Sequence, residues 1–329
     1  MSRTAAGKAY LICGGASLIG SHLADQLLAA GASEVRLLDN FSLGTPEIIA
    51  HLEGEARVKR IRGDILRINE LIEASEGMDG IFALAGFLTL PMSHNPPLGV
   101  AVNTEGMVNI LEAARLARVR HVVFSSSVAA YGNMAADTLT EDSPSLMSSV
   151  SPIAAVYGTT KLLGEQLGRL YAQKYGVGFS GMRFSSVYGE RQHARAVNAN
   201  FIAETYDRIK RGERPVIVGD GREVHDYVYV TDVAAGCIAA MLNGEGAQVF
   251  NLCTGVDTTH TDLVRTILEV CDSKLEPDYR EDTRAVKSAG GDHLGFSPAK
   301  AEREIGWKPA VSLRDGVART IAWREKHGG

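Results

Sequence analysis

Two side chains able to move a proton stand four residues apart in Tyr157-Gly158-Thr159-Thr160-Lys161. On a helix that spacing puts the phenol and the ammonium on one face. A free phenol titrates near ~10 and is a poor base at neutral pH, but a neighbouring cation favours its phenolate. The pair therefore suits proton exchange with a hydroxyl that is turning into a carbonyl, or the reverse. Phe124-Ser125-Ser126-Ser127, at the end of a β-rich run, supplies a third group in the Ser127 hydroxyl. A Tyr-x-x-x-Lys pair alone is usually a surface pairing; its weight here comes from what precedes it.

What precedes it is a site for a large anionic cofactor. The first β-rich run empties into Cys13-Gly14-Gly15-Ala16-Ser17-Leu18-Ile19-Gly20 and then a helical pattern. Glycines allow the tight turn and close helix packing, and the N–H groups at the helix start attract a pyrophosphate. Ser17 stands where the usual pattern has another glycine. Asp39 follows Gly20 by 19 residues, at the end of the second run. A carboxylate there hydrogen-bonds a ribose 2′-OH and repels a 2′-phosphate. Asn40 and Phe41 come next, with no arginine directly after the acid, so the expected cofactor is NAD rather than NADP.

The elements that must hold these groups alternate. Residues 9–13, 35–39, 58–62, 80–84 and 121–125 read as strands, and 18–30, 69–75 and 103–117 as helices between them. A helix over about 156–175 and a strand over 179–184 follow. Beyond Gly189 the rhythm is less regular: a helix near 201–211, a turn at 219–221, a strand at 227–230, and helices at 232–242 and 261–270. This order predicts an α/β protein, a Rossmann-type doubly wound parallel sheet with a smaller C-terminal α/β substrate lobe. Residues 1–185, receiving also 226–255, form the NAD-binding part, and 186–329 mainly the substrate lobe. The cleft is expected at the carboxyl ends of the strands.

Composition narrows the partners. At 45% hydrophobic and 22% charged residues the 329-residue chain is expected to fold throughout. A net charge of −5 without a long basic run argues against nucleic acid or an anionic membrane. Cys13, Cys237, Cys253 and Cys271 form no Cys-x-x-Cys pair, so neither a disulfide framework nor a metal site is expected. No apolar run approaches the ~20 residues of a membrane span, and a cytoplasmic location is expected.

Along nearly its whole length the chain resembles the extended short-chain dehydrogenase/reductase family, in particular its NAD-dependent epimerase/dehydratase branch. The stretches that carry the resemblance are 14–22, 63–65, 124–132, 157–161, 183–189, 219–221, 226–233 and 306–309. It implies Tyr157 as acid/base, Lys161 as ribose anchor that lowers the phenol's pKa, and Ser127 as hydrogen-bond partner of the reacting oxygen. Its implied cofactor contacts are Gly14, Ser17, Leu18, Ile19, Gly20, Asp39, Asn40, Asp64, Ile65, Leu84 and Ala85, with Asp64 and Ile65 flanking adenine. A homodimer packed through two long helices, about 103–117 and 156–175, is also implied.

Within that family, similar sugar dehydratases carry Asp-Glu where this chain has Val128 and Ala129, and decarboxylases keep the glutamate. Loss of water needs an additional general acid, so the segment 124–132 looks like the 4-epimerase version, with a transient ketone. Expected phosphate-clamping arginines are replaced: the usual Arg-Asp is His225-Asp226, and Gly-Asp-Val-Arg is Gly290-Gly291-Asp292-His293. Ser186 replaces an asparagine. Arginine grips phosphate with a fork that histidine reproduces only partly. Arg191, His193 and Arg195 are replacement donors, and His225 and Phe87 are further substrate candidates; Phe87 and Leu88 give an apolar wall. The leading expectation is an NAD-dependent epimerase of a nucleotide sugar. A dehydrogenase or ketoreductase of a sugar, polyol or other secondary alcohol, and a non-catalytic nucleotide sensor, are the competing readings.

Overall fold

The computed structural model describes residues 4–134, 136–192, 197–281 and 293–327. The first part runs β1 (Ala9–Cys13), α1 (Leu18–Ala29), β2 (Glu34–Asp39), β3 (Val58–Arg62), α2 (Ile68–Ser75), β4 (Gly80–Ala83), α3 (Thr89–His94), α4 (Pro96–Leu116), β5 (His121–Ser127), α5 (Pro152–Tyr175) and β6 (Gly178–Phe184). It continues through β7 (Ser186–Tyr188), α6 (Val197–Lys210), β8 (Val216–Val218), β9 (Val224–His225), β10 (Tyr227–Tyr229), α7 (Val230–Asn243) and β11 (Ala247–Leu252). The chain then forms β12 (Thr258–Thr259), α8 (His260–Val270), β13 (Asp278–Arg280), α9 (Ala299–Ile305) and α10 (Leu313–His327).

Seven strands form one parallel sheet in the order β11-β6-β5-β4-β1-β2-β3. Because both faces are covered, the inner strands are apolar nearly throughout rather than alternating. Leu11, Ile12 and Cys13 of β1, and Val122, Val123 and Phe124 of β5, are all buried. One face is closed by α1 and α7, through Leu23, Leu27, Val233 and Cys237; the other by α2, α4 and α5, through Leu71, Ile110, Leu111 and Tyr171. The order reverses between β1 and β4, which opens a crevice at the carboxyl ends of those strands.

Two expectations shift. The helix expected from 103 begins at Pro96, and the one expected from about 156 begins at Pro152. Prolines read as breakers, yet at the first helical position the missing N–H costs nothing and the fixed φ suits the helix; Asn95 caps α4 through Leu98 N. The irregular stretch after Gly189 also hides β11, which pairs with β6 over six residues and completes the sheet. A separate cluster of Tyr188, Ile202, Tyr206, Tyr227, Tyr229, Leu263, Ile267, Val317 and Ile321 forms a second core among the elements after β6.

Candidate active site

Ser127 ends β5, and its hydroxyl accepts a hydrogen bond from Ala129 N at 3.1 Å, starting a short turn over Val128–Tyr131. Across from it, α5 carries Tyr157 and Lys161 one turn apart, with 7% and 5% of their surface exposed. The Ser127 hydroxyl is near enough to the Tyr157 phenol to favour its ionised form. Lys161 Nζ donates to the Ser125 carbonyl at 2.7 Å and sits 5.6 Å from the centroid of the Tyr157 ring. The three groups expected to work together thus meet at the carboxyl end of β5.

Their electrostatics differ from the expectation. Burial pushes the Tyr157 phenol up to about 12, opposed only by the Ser127 hydrogen bond. Burial pulls Lys161 down to about 8, against the favourable field of Glu165. Burial thus outweighs whatever the neighbouring lysine does for the phenol. The phenol lies in an apolar cluster with Phe87, Met92, Ala129 and Ile153, while the lysine spends its closest contact on a carbonyl.

A pH test follows. Folded Lys161 loses its proton near 8, whereas the unfolded chain holds it to the ordinary 10.5. Over that window the unfolded state binds more protons, so this residue makes stability rise with pH. Tyr157 acts the other way above its ordinary value of 10.0, because the folded phenol keeps its proton to about 12. Urea unfolding of the cofactor-free protein between pH about 8 and 10 is expected to show a rise that Lys161→Met lacks. Equal slopes in both proteins would refute the assignment.

The glycine loop fits a dinucleotide. Gly14 has φ +87°, and a Cβ there would lie 2.8 Å from Ala85 N; at Gly20 it would lie 2.4 Å from Gly14 O. Ser17, the departure from the pattern, has φ −110° and needs no glycine. Its hydroxyl accepts from Gly20 N at 3.1 Å and donates to Gly14 O at 2.7 Å, capping α1. The amides of Leu18 and Ile19 stand at the helix start, ahead of the intrahelical ladder. Asp39 accepts from Ala16 N at 2.9 Å and Phe41 N at 2.8 Å. A carboxylate has about four acceptor sites, so Asp39 can brace the loop and still accept from a ribose. Leu84 N and Ala85 N both donate to Cys13 O at 2.9 Å, which lays this segment against the loop.

At the expected adenine end, Asn40 Nδ2 donates to Asp64 Oδ2 at 3.1 Å. Ile65 is buried, and a Cβ on Gly106 of α4 would lie 2.5 Å from its Cδ1. Its side chain is thus part of the core beneath α4.

The substrate candidates divide. Phe87 packs with Tyr157. Ser186 Oγ lies 3.4 Å from His225 Nδ1, whose Nε2 is 2.9 Å from Glu223 Oε1. Arg191 is instead drawn to α1, where its guanidinium meets Asp25 at 2.7 Å. A phosphate contact by Arg191 would have to compete with that ion pair. His293, in the place of an expected arginine, bonds the Asp257 carboxylate through Nδ1 and the Asp137 carbonyl through Nε2 at 3.1 Å. Those two acceptors raise its pKa, the Asp137 carbonyl first. His193, Arg195 and the 290–292 segment lie outside the described residues.

Two groups escaped the sequence reading. Buried Asn103 accepts from Phe87 N at 2.7 Å, donates to Phe87 O at 3.0 Å and reaches Thr160 Oγ1 at 3.2 Å. Thr160 in turn donates to the Tyr157 carbonyl. One amide therefore locks the Phe87 wall to the Tyr157 turn; its only sequence signal is an amide on an otherwise apolar helix face. Glu165, a turn beyond Lys161, accepts from Arg183 at 2.8 and 2.9 Å and from Ser126 Oγ at 2.6 Å.

The chain is also similar to known proteins over nearly its whole length. The model of the NAD-dependent epimerase/dehydratase family matches residues 10–253. A UDP-glucose 4-epimerase of Mycolicibacterium smegmatis is 32% identical over 318 residues, covering 94% of this chain and 96% of its own. A dTDP-glucose 4,6-dehydratase of Streptomyces griseus is 29% identical over 324 residues, covering 96% of this chain and 94% of its own. The crystal structure of a Thermotoga maritima UDP-glucose 4-epimerase with UDP-glucose superposes with a TM-score of 0.85 at 29% identity, over 97% of this chain and 99% of that one.

Proposed function

Because the chain belongs to the NAD-dependent epimerase/dehydratase family, we propose that it is an NAD-dependent epimerase that inverts a carbinol centre of a nucleotide sugar through a transient ketone. The observation that carries this is the meeting of Ser127, Tyr157 and Lys161 at the end of β5, followed by Val128 and Ala129. NAD supplies the hydride acceptor and, on return, the hydride donor. Tyr157 takes the proton from the sugar hydroxyl and gives it back when the ketone is reduced. Ser127 hydrogen-bonds the same oxygen and holds it against the phenol. Lys161 adds positive charge beside the ring and a donor for the ribose. Val128 and Ala129 carry no group that could protonate a departing hydroxyl, so water loss lacks its acid.

On the cofactor side, Gly14, Ser17, Leu18, Ile19 and Gly20 form the pyrophosphate turn, and Asp39, Asn40, Asp64, Ile65, Leu84 and Ala85 surround the adenosine and nicotinamide ends. Asp39→Ser is expected to shift preference toward the 2′-phosphorylated cofactor by at least about tenfold, since the repelling carboxylate is gone. Paired fluorescence titrations with NADH and NADPH measure it; an unchanged ratio would remove Asp39 from this role.

Phe87 and Ser186 are proposed as substrate-lining residues. A homodimer through α4 and α5 is part of the proposal, supported by exposed Leu116, Leu163, Leu170 and Tyr175 on those helices. Cytoplasmic work is likewise proposed, in keeping with free thiols at all four cysteines. Among the described residues no helix is long and apolar enough to cross a membrane. The reaction is tested by incubating NAD-loaded protein with UDP-glucose, UDP-galactose, their N-acetyl forms and dTDP-glucose, read by proton NMR. Interconversion of a 4-epimer pair is expected; neither conversion nor binding across the panel would overturn the reading.

A further inference from the structure

A second constellation lies in the C-terminal half. β9 and β12 pair antiparallel with Thr258 opposite His225 and Thr259 opposite Val224. The ladder extends one step further, where His260 N donates to Glu223 O at 3.0 Å. Alternate residues of a strand share a face and directly opposed residues share it too. Glu223, His225 and His260 therefore project together from one side of this two-stranded ribbon.

Their donor atoms converge. His225 Nε2 is 2.9 Å from Glu223 Oε1, and His260 Nδ1 is 3.9 Å from Glu223 Oε2. One ligand atom from each residue lies within 4.8 Å of the other two. Both imidazoles are buried. A tetrahedral ion with bonds of roughly 2.0–2.1 Å needs its donors about 3.3 Å apart, so binding one would turn an imidazole out of the present stack, in which the two ring planes lie within 18° of each other. The surroundings also orient the rings. Ser186 Oγ, 3.4 Å from His225 Nδ1, can accept a hydrogen bond from an Nδ1–H, the tautomer in which Nε2 is free to bind a metal. His260 is stacked between Phe201 and His225, with ring centroids 5.0 Å away on each side.

We propose that Glu223, His225 and His260 bind a divalent transition-metal cation of the zinc class. Two imidazoles and one carboxylate make the three-ligand set that leaves a tetrahedral zinc one position for water or another oxygen donor. The same nitrogen content disfavours magnesium and calcium, which take oxygen ligands. Because β7 follows β6 directly, and Phe184 of β6 is paired with Ser127, the site lies beyond the carboxyl ends of the strands, the same end of the sheet as the candidate active site. Sequence spacing conceals it, since the third ligand arrives across the ladder, 35 residues after His225.

Co2+ is the probe, added to untagged, chelator-treated full-length protein and followed by visible absorption and equilibrium dialysis. The expected result is saturable binding of one Co2+ per chain with d–d bands of tetrahedral strength, displaced by Zn2+. His225→Phe and His260→Phe keep an aromatic ring in the stack and are expected to weaken binding by at least about tenfold. Zn2+ should also raise the denaturation midpoint of the wild type and not of these variants. Absence of stoichiometric binding by the wild type, wild-type affinity retained in both variants, or a thiolate charge-transfer band assigning the ion to cysteine would each overturn the proposal. The wild-type titration does not depend on either variant folding.

Discussion

Tyr157→Phe is expected to lower kcat by ~10²–10⁴-fold, the usual contribution of a positioned acid/base, while leaving NAD binding and thermal unfolding close to wild type. The ring stays in the apolar cluster with Phe87, Met92 and Ile153, so packing is preserved and only the hydroxyl is lost. KM for the sugar should change little, because the lost interaction belongs to the transition state. Stopped-assay NMR of epimer interconversion gives kcat, and NADH fluorescence reports the cofactor. A variant within a few-fold of wild-type turnover would remove Tyr157 from the chemistry. Burial alone sets the phenol near 12, so a working base must be assisted. The positive charge of an oxidised nicotinamide and Lys161 act in that direction. The acid limb of the kcat profile is accordingly expected far below 12, and Lys161→Met should move it upward.

The second large effect is on stability. Glu165 and Arg183 have side chains 1% and 5% exposed and form a bidentate pair at 2.8 and 2.9 Å. Glu165→Gln removes the buried guanidinium's bidentate counter-charge and leaves only the more distant Glu141, which costs up to about 3–5 kcal/mol. Urea unfolding should show that loss. Replacing both partners with Leu and Met should recover most of it, because an apolar pair of similar volume carries no desolvation penalty. A single-variant loss below about 1 kcal/mol would show that Arg183 finds other acceptors. Since Glu165 also stands one turn from Lys161 and supports its charge, the Gln variant should weaken catalysis beyond what unfolding explains.

Much of the candidate site could be read before the fold was known. The Tyr157–Lys161 pair, the glycine turn and Asp39 are visible because each depends on separations of a few residues, or on one strand-turn-helix unit. Ser17 illustrates the limit: its departure from glycine looks costly in the sequence, and its φ of −110° makes it harmless. Arg191 illustrates it in the opposite direction, as a basic residue beside a conspicuous motif whose charge is drawn to Asp25 on α1.

The sequence by itself therefore determined the α/β order, the face shared by Tyr157 and Lys161, and the glycine turn that opens α1. Helix pitch and strand pleat are local geometry, identical wherever the pattern occurs. Only the tertiary structure decided that Tyr157 is raised and Lys161 lowered, that Asn103 ties Phe87 to the Tyr157 turn, and that His260 joins Glu223 and His225. Those outcomes depend on desolvation and on pairings between segments far apart in the chain, and both come into existence only when the layers pack.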